Sequence, residues 1–407
     1  MQRSPGMSLL KSILIIIPYD NIYPPMNGGM QRCFHIIHQL AKHFELTAII
    51  HQDKNSFLKC AKEYPAIENV KIYSTKDEPA AKDLFSLLPA KAQTALRYRW
   101  IKKQLKNPAD SMFMEYYPVL IKLIQQNKYD TIILENLNTI NAVSVIRKYD
   151  KDVKIIYDAH NIDSNLCTNA AYKRDVQKAE STLYKTVNAI FTCSENDRCG
   201  FLEMNNNKLA VGVIANGVNV GNLFDEGVKQ DEPVYILFCG ALWTSPNSDG
   251  LFWFYDRVWQ KVKKKLPHLK LLIVGSGQLP AKYSSLMEDP CLVFTGTVDD
   301  VKPWYNKAAV AIVPILSGSG TRLKILEAMS YGLPVVSTSK GAEGIDYTNN
   351  EQIIIADQEK NFAECLITLL QNKNRRIGIQ RSARKLIEKK YDWDVIGNSL
   401  SLFLKNR

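Results

Sequence analysis

The stretch Pro314-Ile-Leu-Ser-Gly-Ser-Gly-Thr-Arg-Leu-Lys-Ile-Leu-Glu-Ala-Met-Ser-Tyr-Gly-Leu-Pro-Val-Val-Ser-Thr338 constrains the fold more than any other part of the chain. An apolar run, Val310 to Leu316, gives way to Ser317-Gly-Ser-Gly320. Leu323, Leu326 and Met329 then recur at the spacing of a buried helix stripe, and Gly332 followed by Pro334 stops the helix before a second apolar run. The order is strand, glycine turn, helix, strand. A unit of this kind needs parallel neighbours in a sheet and a helix covering one face.

The helix is expected to begin near Thr321. Glycines there let a ligand approach the backbone, and first-turn N–H groups have no intrahelical partners. The helix dipole adds partial positive charge, so an anion is favoured, and Arg322 and Lys324 bring full charges to the same place. Glu327 lies about 9 Å along the axis from Thr321 at ~1.5 Å per residue, the right separation for a diphosphate at the helix mouth and ribose hydroxyls at the carboxylate. From the residues alone, a plain strand-to-helix connection with a solvated charged face fits equally well.

The same alternation runs through the chain. Ile13 to Ile17, a loop ending in Gly28-Gly29, a helix carrying Phe34, Ile37, Leu40 and Ala41, and Leu46 to Ile50 make a doubly wound opening. Further strands are expected at 129–134, 153–157 and 189–194. After a polar segment, Asp225 to Pro233, four more are expected at 235–240, 269–275, 291–296 and 310–314. Gly28 and Gly29 read either as an anion approach or as a glycine turn. His160 follows a strand in Asp158-Ala-His160, where ligands gather in open α/β sheets; it reads as acid, base or hydrogen-bond donor, or as a satisfied core histidine.

Ser317 to Val336 resembles the donor-nucleotide motif of retaining GT-B glycosyltransferases, family 4, also called glycosyl transferases group 1. The resemblance implies an α/β chain of GT-B architecture, two facing Rossmann-like doubly wound parallel-sheet domains with an interdomain cleft. It implies an N-terminal acceptor-binding domain over 1–228, a donor-binding domain over 229–390, and a terminal helix over 391–407 that packs back on the first. It further implies transfer of a hexose from a UDP- or GDP-sugar to a glycan or lipid-linked acceptor in polysaccharide or glycolipid synthesis, with retention and without metal. On this reading the nucleotide sugar is a co-substrate and there is no cofactor.

The residues that the resemblance implies are His160 beside the transferred sugar, and Gly28, Gly29, Gly240, Asn247, Val298, Ser319, Gly320, Thr321, Arg322, Lys324 and Glu327 around the donor. Two positions depart from the common pattern. Ser319 replaces the first of two glutamates, and Ala241 and Asn247 stand near where relatives carry Arg and Lys on the diphosphate. Charge neutralisation is therefore expected from Arg322, Lys324 and helix ends. Thr295-Gly-Thr-Val298 lies where relatives present backbone to the nucleobase, and by itself also fits a strand exit.

Length, 407 residues, suits two or three domains, and a net charge of +11 suits an anionic polymer, a membrane surface or a phosphorylated substrate without choosing among them. Lys91 to Lys106 carries six basic residues and no acidic one. It reads as a peripheral contact with the inner membrane face or as a solvated basic helix. Eight cysteines occur singly, which points to reduced thiols, and His35 and His38 lack a third ligand, so no metal site is expected. No apolar run reaches a membrane-spanning length and no signal peptide is read, so the chain is expected to be cytoplasmic. An NAD-dependent oxidoreductase is disfavoured because Gly275-Ser-Gly-Gln-Leu-Pro280 has proline at the third glycine position. A basic nucleic-acid binder is disfavoured because the charges are scattered.

Overall fold

A computed structural model of the chain describes residues 10–77, 116–167, 169–220, 234–318 and 323–406. The chain forms two compact units, one comprising residues up to Ile214 together with Gly397 onward, the other Ala215–Ile396. The divide falls earlier than residue 228. Val218 donates its N–H to the Tyr391 carbonyl at 2.8 Å and accepts from Trp393 N at 3.2 Å, which ties it to the second unit. The polar segment 225–233 and the basic stretch 91–106 lie outside the described residues.

The first unit is a seven-stranded sheet of β1 (Ser12–Ile16), β2 (Glu45–Ile50), β3 (Lys71–Ser74), β4 (Thr131–Glu135), β5 (Lys154–Ala159), β6 (Ala189–Thr192) and β7 (Ala210–Val213). Its order is β3-β2-β1-β4-β5-β6-β7, with every pairing parallel. Ile13 to Ile16 are all buried, which explains a continuous rather than alternating apolar run: helices cover both faces of such a sheet. The strand order reverses between β1 and β4.

The second unit is a six-stranded parallel sheet of β8 (Tyr235–Cys239), β9 (Lys270–Val274), β10 (Leu292–Gly296), β11 (Val310–Val313), β12 (Val335–Ser337) and β13 (Ile354–Ile355), in the order β10-β9-β8-β11-β12-β13. Period two is visible in its cores. Ile236, Phe238, Leu271 and Ile273 pack in one cluster while Leu237, Leu272 and Val274 pack in the other. The order here reverses between β8 and β11. β3, β7 and β13, absent from the strands expected, are short edge strands with little apolar signal of their own.

Helix Leu323–Ser330 buries Ile325, Leu326, Ala328 and Met329. It ends as Gly332 and Pro334 require. Gly332 adopts φ 71°, and the N–H groups of Leu333 and Gly332 reach back to Ala328 and Met329 carbonyls at 2.8 and 3.0 Å, a glycine-terminated cap that a side chain would strain. An aromatic-rich helix begins at Ser245 and passes through a wider π turn, Phe254–Trp259, into Gln260–Lys265. That turn keeps Phe254, Val258, Trp259 and Val262 all buried.

The chain rejoins the first unit within helix Trp393–Lys405. There Gly397 lies against the Gln39 side chain, Phe403 covers Gly212, and Lys11 Nζ donates to the Leu404 carbonyl at 2.8 Å.

Candidate functional site

In each unit, the carboxyl ends of the strands beside the order reversal form the crevice where open α/β sheets bind ligands. Both crevices hold residues singled out from the sequence.

In the first unit β4 and β5 run in register with Glu135 opposite Asp158, so two carboxylates arrive side by side, both wholly buried. Helix Gly28–Ala41 answers one of them. Arg32 donates to Asp158 through Nε at 3.1 Å and Nη2 at 2.6 Å, and to the Ile214 carbonyl through Nη1 at 2.7 Å. This paired, hydrogen-bonded arrangement is what makes buried charge tolerable.

Glu135 is met differently. Its Oε2 lies 2.8 Å from His160 Nε2 and accepts from the Cys33 thiol at 3.3 Å, while its buried Oε1 has no hydrogen-bond partner. Burial, together with Asp158, pushes the Glu135 carboxyl above its ordinary range. Burial and Glu135 push the Cys33 thiol well above its own. Among the described residues, Cys33, Glu135 and His160 are the one group able to ligate a metal together. His35 and His38 instead contact the rings of Phe34 and Tyr64.

The other nitrogen of His160, Nδ1, lies 3.2 Å from the Tyr19 hydroxyl, which burial keeps protonated. A Cβ at Gly29 would overlap that hydroxyl and come within 3.4 Å of Nδ1, so glycine is needed there for close packing. Gly28 is exposed at the helix start, which Asn27 caps by accepting from Met30 N at 3.0 Å. Asn136, directly after Glu135, sits at φ 66°, ψ 156°, a region costing a non-glycine residue about 1–3 kcal/mol and found mainly where function holds it.

In the second unit Gly240 ends β8, and a Cβ on it would lie 2.6 Å from Lys324 Nζ and 2.8 Å from Asn247 Nδ2. Lys324 Nζ donates to Asn247 Oδ1 at 2.7 Å, and Asn247 Nδ2 donates to the Ala241 carbonyl at 2.9 Å. Asn247 thus orients a cation supplied by the other side of the crevice. Glu327 accepts from the Tyr305 hydroxyl at 3.3 Å, and burial holds Tyr305 in its protonated form.

Gly240, Asn247 and Lys324 therefore meet, with Glu327 one helical turn further. Val298 is half-buried after β10, where its side chain packs on the core. Ser319, Gly320, Thr321 and Arg322 lie outside the described residues. Glu135, Tyr19, Arg32 and Tyr305 were not singled out from the sequence. A carboxylate closing the apolar run Thr131-Ile-Ile-Leu-Glu135 was the available signal for the first of them.

Residues 233–372 match the family described as Glycosyl transferases group 1. The chain is 25% identical to an uncharacterized 44.6 kDa protein in the cps region of Klebsiella pneumoniae over 400 residues, 95% of this chain and 98% of that protein. It is 27% identical to a phosphatidyl-myo-inositol mannosyltransferase of Mycobacterium leprae over 197 residues, 46% of this chain and 51% of the relative. Among solved structures it is similar to Anabaena Alr3699/HepE in complex with UDP and glucose, at 13% identity and a TM-score of 0.65, covering 98% of this chain and 100% of that one. Two doubly wound parallel sheets in one chain give the GT-B fold.

Proposed function

We propose that this chain, whose residues 233–372 match the family Glycosyl transferases group 1, is a retaining, metal-independent hexosyltransferase. Its donor is a nucleotide diphosphate sugar, UDP- or GDP-linked, and its acceptor a glycan or lipid-linked saccharide of a polysaccharide or glycolipid pathway. The observation that carries the reading is the Lys324 ammonium. It is held by Asn247 over the bare backbone of Gly240, one turn before a carboxylate, at the strand-order reversal of the second sheet.

As the glycosidic bond breaks, negative charge grows on the departing diphosphate. A cation already fixed in place stabilises that charge without reorganising. Lys324 supplies this, joined on our reading by Arg322 and the N–H groups at the start of its helix, in place of the Arg and Lys that relatives carry after Gly240. Glu327, steadied by Tyr305, accepts hydrogen bonds from ribose hydroxyls. To His160 we assign a hydrogen bond to the transferred sugar. The donor phosphate takes the acceptor proton on the face it leaves, so no enzymic nucleophile is needed and the anomeric configuration is kept.

Incubation with a panel of UDP-, GDP- and ADP-sugars, with nucleotide diphosphate release as the readout, tests this. Slow release from one base class, abolished in Lys324→Ala, is expected. Binding of NAD without release from any sugar nucleotide would refute it.

A further inference from the structure

His160 is held at both ring nitrogens. Nε2 faces Glu135 Oε2 at 2.8 Å, Nδ1 faces the Tyr19 hydroxyl at 3.2 Å, and the Tyr19 and His160 rings stack at 5.9 Å with 15° between their planes. We infer that Glu135 and Tyr19 are positioning residues that lock His160 in the Nε2–H tautomer, with Nδ1 accepting from the Tyr19 hydroxyl. This rests on the reading of His160 as the residue beside the sugar.

The Cys33 thiol donates to Glu135 Oε2 at 3.3 Å, and His160 Nε2 lies 2.8 Å from the same oxygen. Oε2 has lone pairs for both only while it carries no hydrogen itself; a hydrogen on Oε2 pointing at His160 would leave the thiol a poor acceptor. On the opposite edge the Tyr19 hydroxyl keeps its proton and needs an acceptor, which Nδ1 is only when Nε2 carries the hydrogen. Both edges therefore ask for one tautomer, and the tautomer of a histidine is set by what its other nitrogen bonds.

The Nδ1 and Tyr19 edge packs against Gly29, in the first turn of helix Gly28–Ala41. Glu135 thereby fixes the imidazole without touching substrate, as a buried carboxylate orients a histidine in other enzymes.

The test is long-range proton–nitrogen correlation spectroscopy on the full chain labelled with 15N-histidine, His160 being assigned by difference against His160→Asn. The wild type is expected to show a protonated Nε2 and a bare Nδ1. Glu135→Gln, whose amide can present either donor or acceptor, and Tyr19→Phe, which keeps the ring stack, are each expected to mix the two tautomers. Glu135→Gln should also lower kcat for nucleotide diphosphate release about tenfold or more, ~1.4 kcal/mol, with KM for the sugar nucleotide within about twofold.

A wild-type Nδ1–H tautomer overturns the inference. So does a Glu135→Gln protein that melts cooperatively and keeps Nε2–H, whatever its activity. Full turnover in His160→Asn would instead remove His160 from the proposed function, and the tautomer measurement stands independently of that result.

Discussion

Lys324 owes its position to a long apolar stem that runs over the Phe238 ring, its Nζ 5.0 Å from the ring centroid, before the charge meets Asn247. Lys324→Ala is expected to weaken binding of the preferred nucleotide diphosphate about ten- to hundredfold, the loss of a charge-assisted hydrogen bond of ~1.5–3 kcal/mol. Calorimetric titration with UDP, GDP and ADP checks it, and unchanged affinity for all three would take Lys324 out of the donor site. Glu180 gives a pH-dependent counterpart. It is fully buried and accepts the Asp163 N–H at 2.6 Å, and burial raises its carboxyl pKa. Its proton is therefore held more tightly in the folded state than in the unfolded one. The stabilisation is complete below the unfolded value of about 4.3 and is lost as pH rises through the folded value. Glu180→Gln cannot ionise, so its Tm relative to wild type should climb as pH rises from the unfolded value through the folded one; a flat or falling difference would contradict the sign. Lys324 and Glu327 were legible because they share one helix, whereas Glu135 was not, because its partner His160 lies 25 residues away on the next strand.

At the scale of elements, the tips of β8 and β9 show why two neighbouring glycines are not equivalent. A Cβ on Gly275 would run into the Gly240 carbonyl oxygen, a backbone atom, while one on Gly240 would meet the flexible ends of Lys324 and Asn247. Gly275→Ala is therefore expected to lose stability by about 1–3 kcal/mol, the usual cost of overpacking. Gly240 sits at φ 159°, where a side chain strains the backbone, so Gly240→Ala is expected to lose some stability and also to lose nucleotide affinity as the ammonium is pushed aside. Urea denaturation and nucleotide titration of both variants check this; unchanged nucleotide affinity in Gly240→Ala would take that strand end out of the donor site. The βαβ pattern around Pro314–Thr338 was readable to its terminating glycine because turn stereochemistry is local. Strands β3, β7 and β13 were not, because edge strands this short bury too little to leave a pattern.

Across the whole molecule, five tryptophans, Trp243, Trp253, Trp259, Trp304 and Trp393, belong to the second unit. Trp100 lies outside the described residues. Tryptophan emission should thus report chiefly on the unit assigned to the nucleotide. Saturating the protein at about 100 times Kd adds ~2.7 kcal/mol to whatever binds it. The fluorescence-detected melt is expected to shift upward with nucleotide diphosphate, with a smaller shift in the part of the circular dichroism melt that fluorescence does not follow. An upward shift confined to the part that fluorescence misses would assign the nucleotide to the first unit. Apolar periodicity, glycine turns and proline stops, all relations among near neighbours in the chain, by themselves determined two doubly wound α/β halves and the helix between Pro314 and Pro334. Only the tertiary structure decided which strand ends stand together, and so that Lys324 is held by Asn247 from 77 residues away and His160 by Glu135. Strand order and register follow from how whole faces bury one another, a balance no local stretch of sequence records.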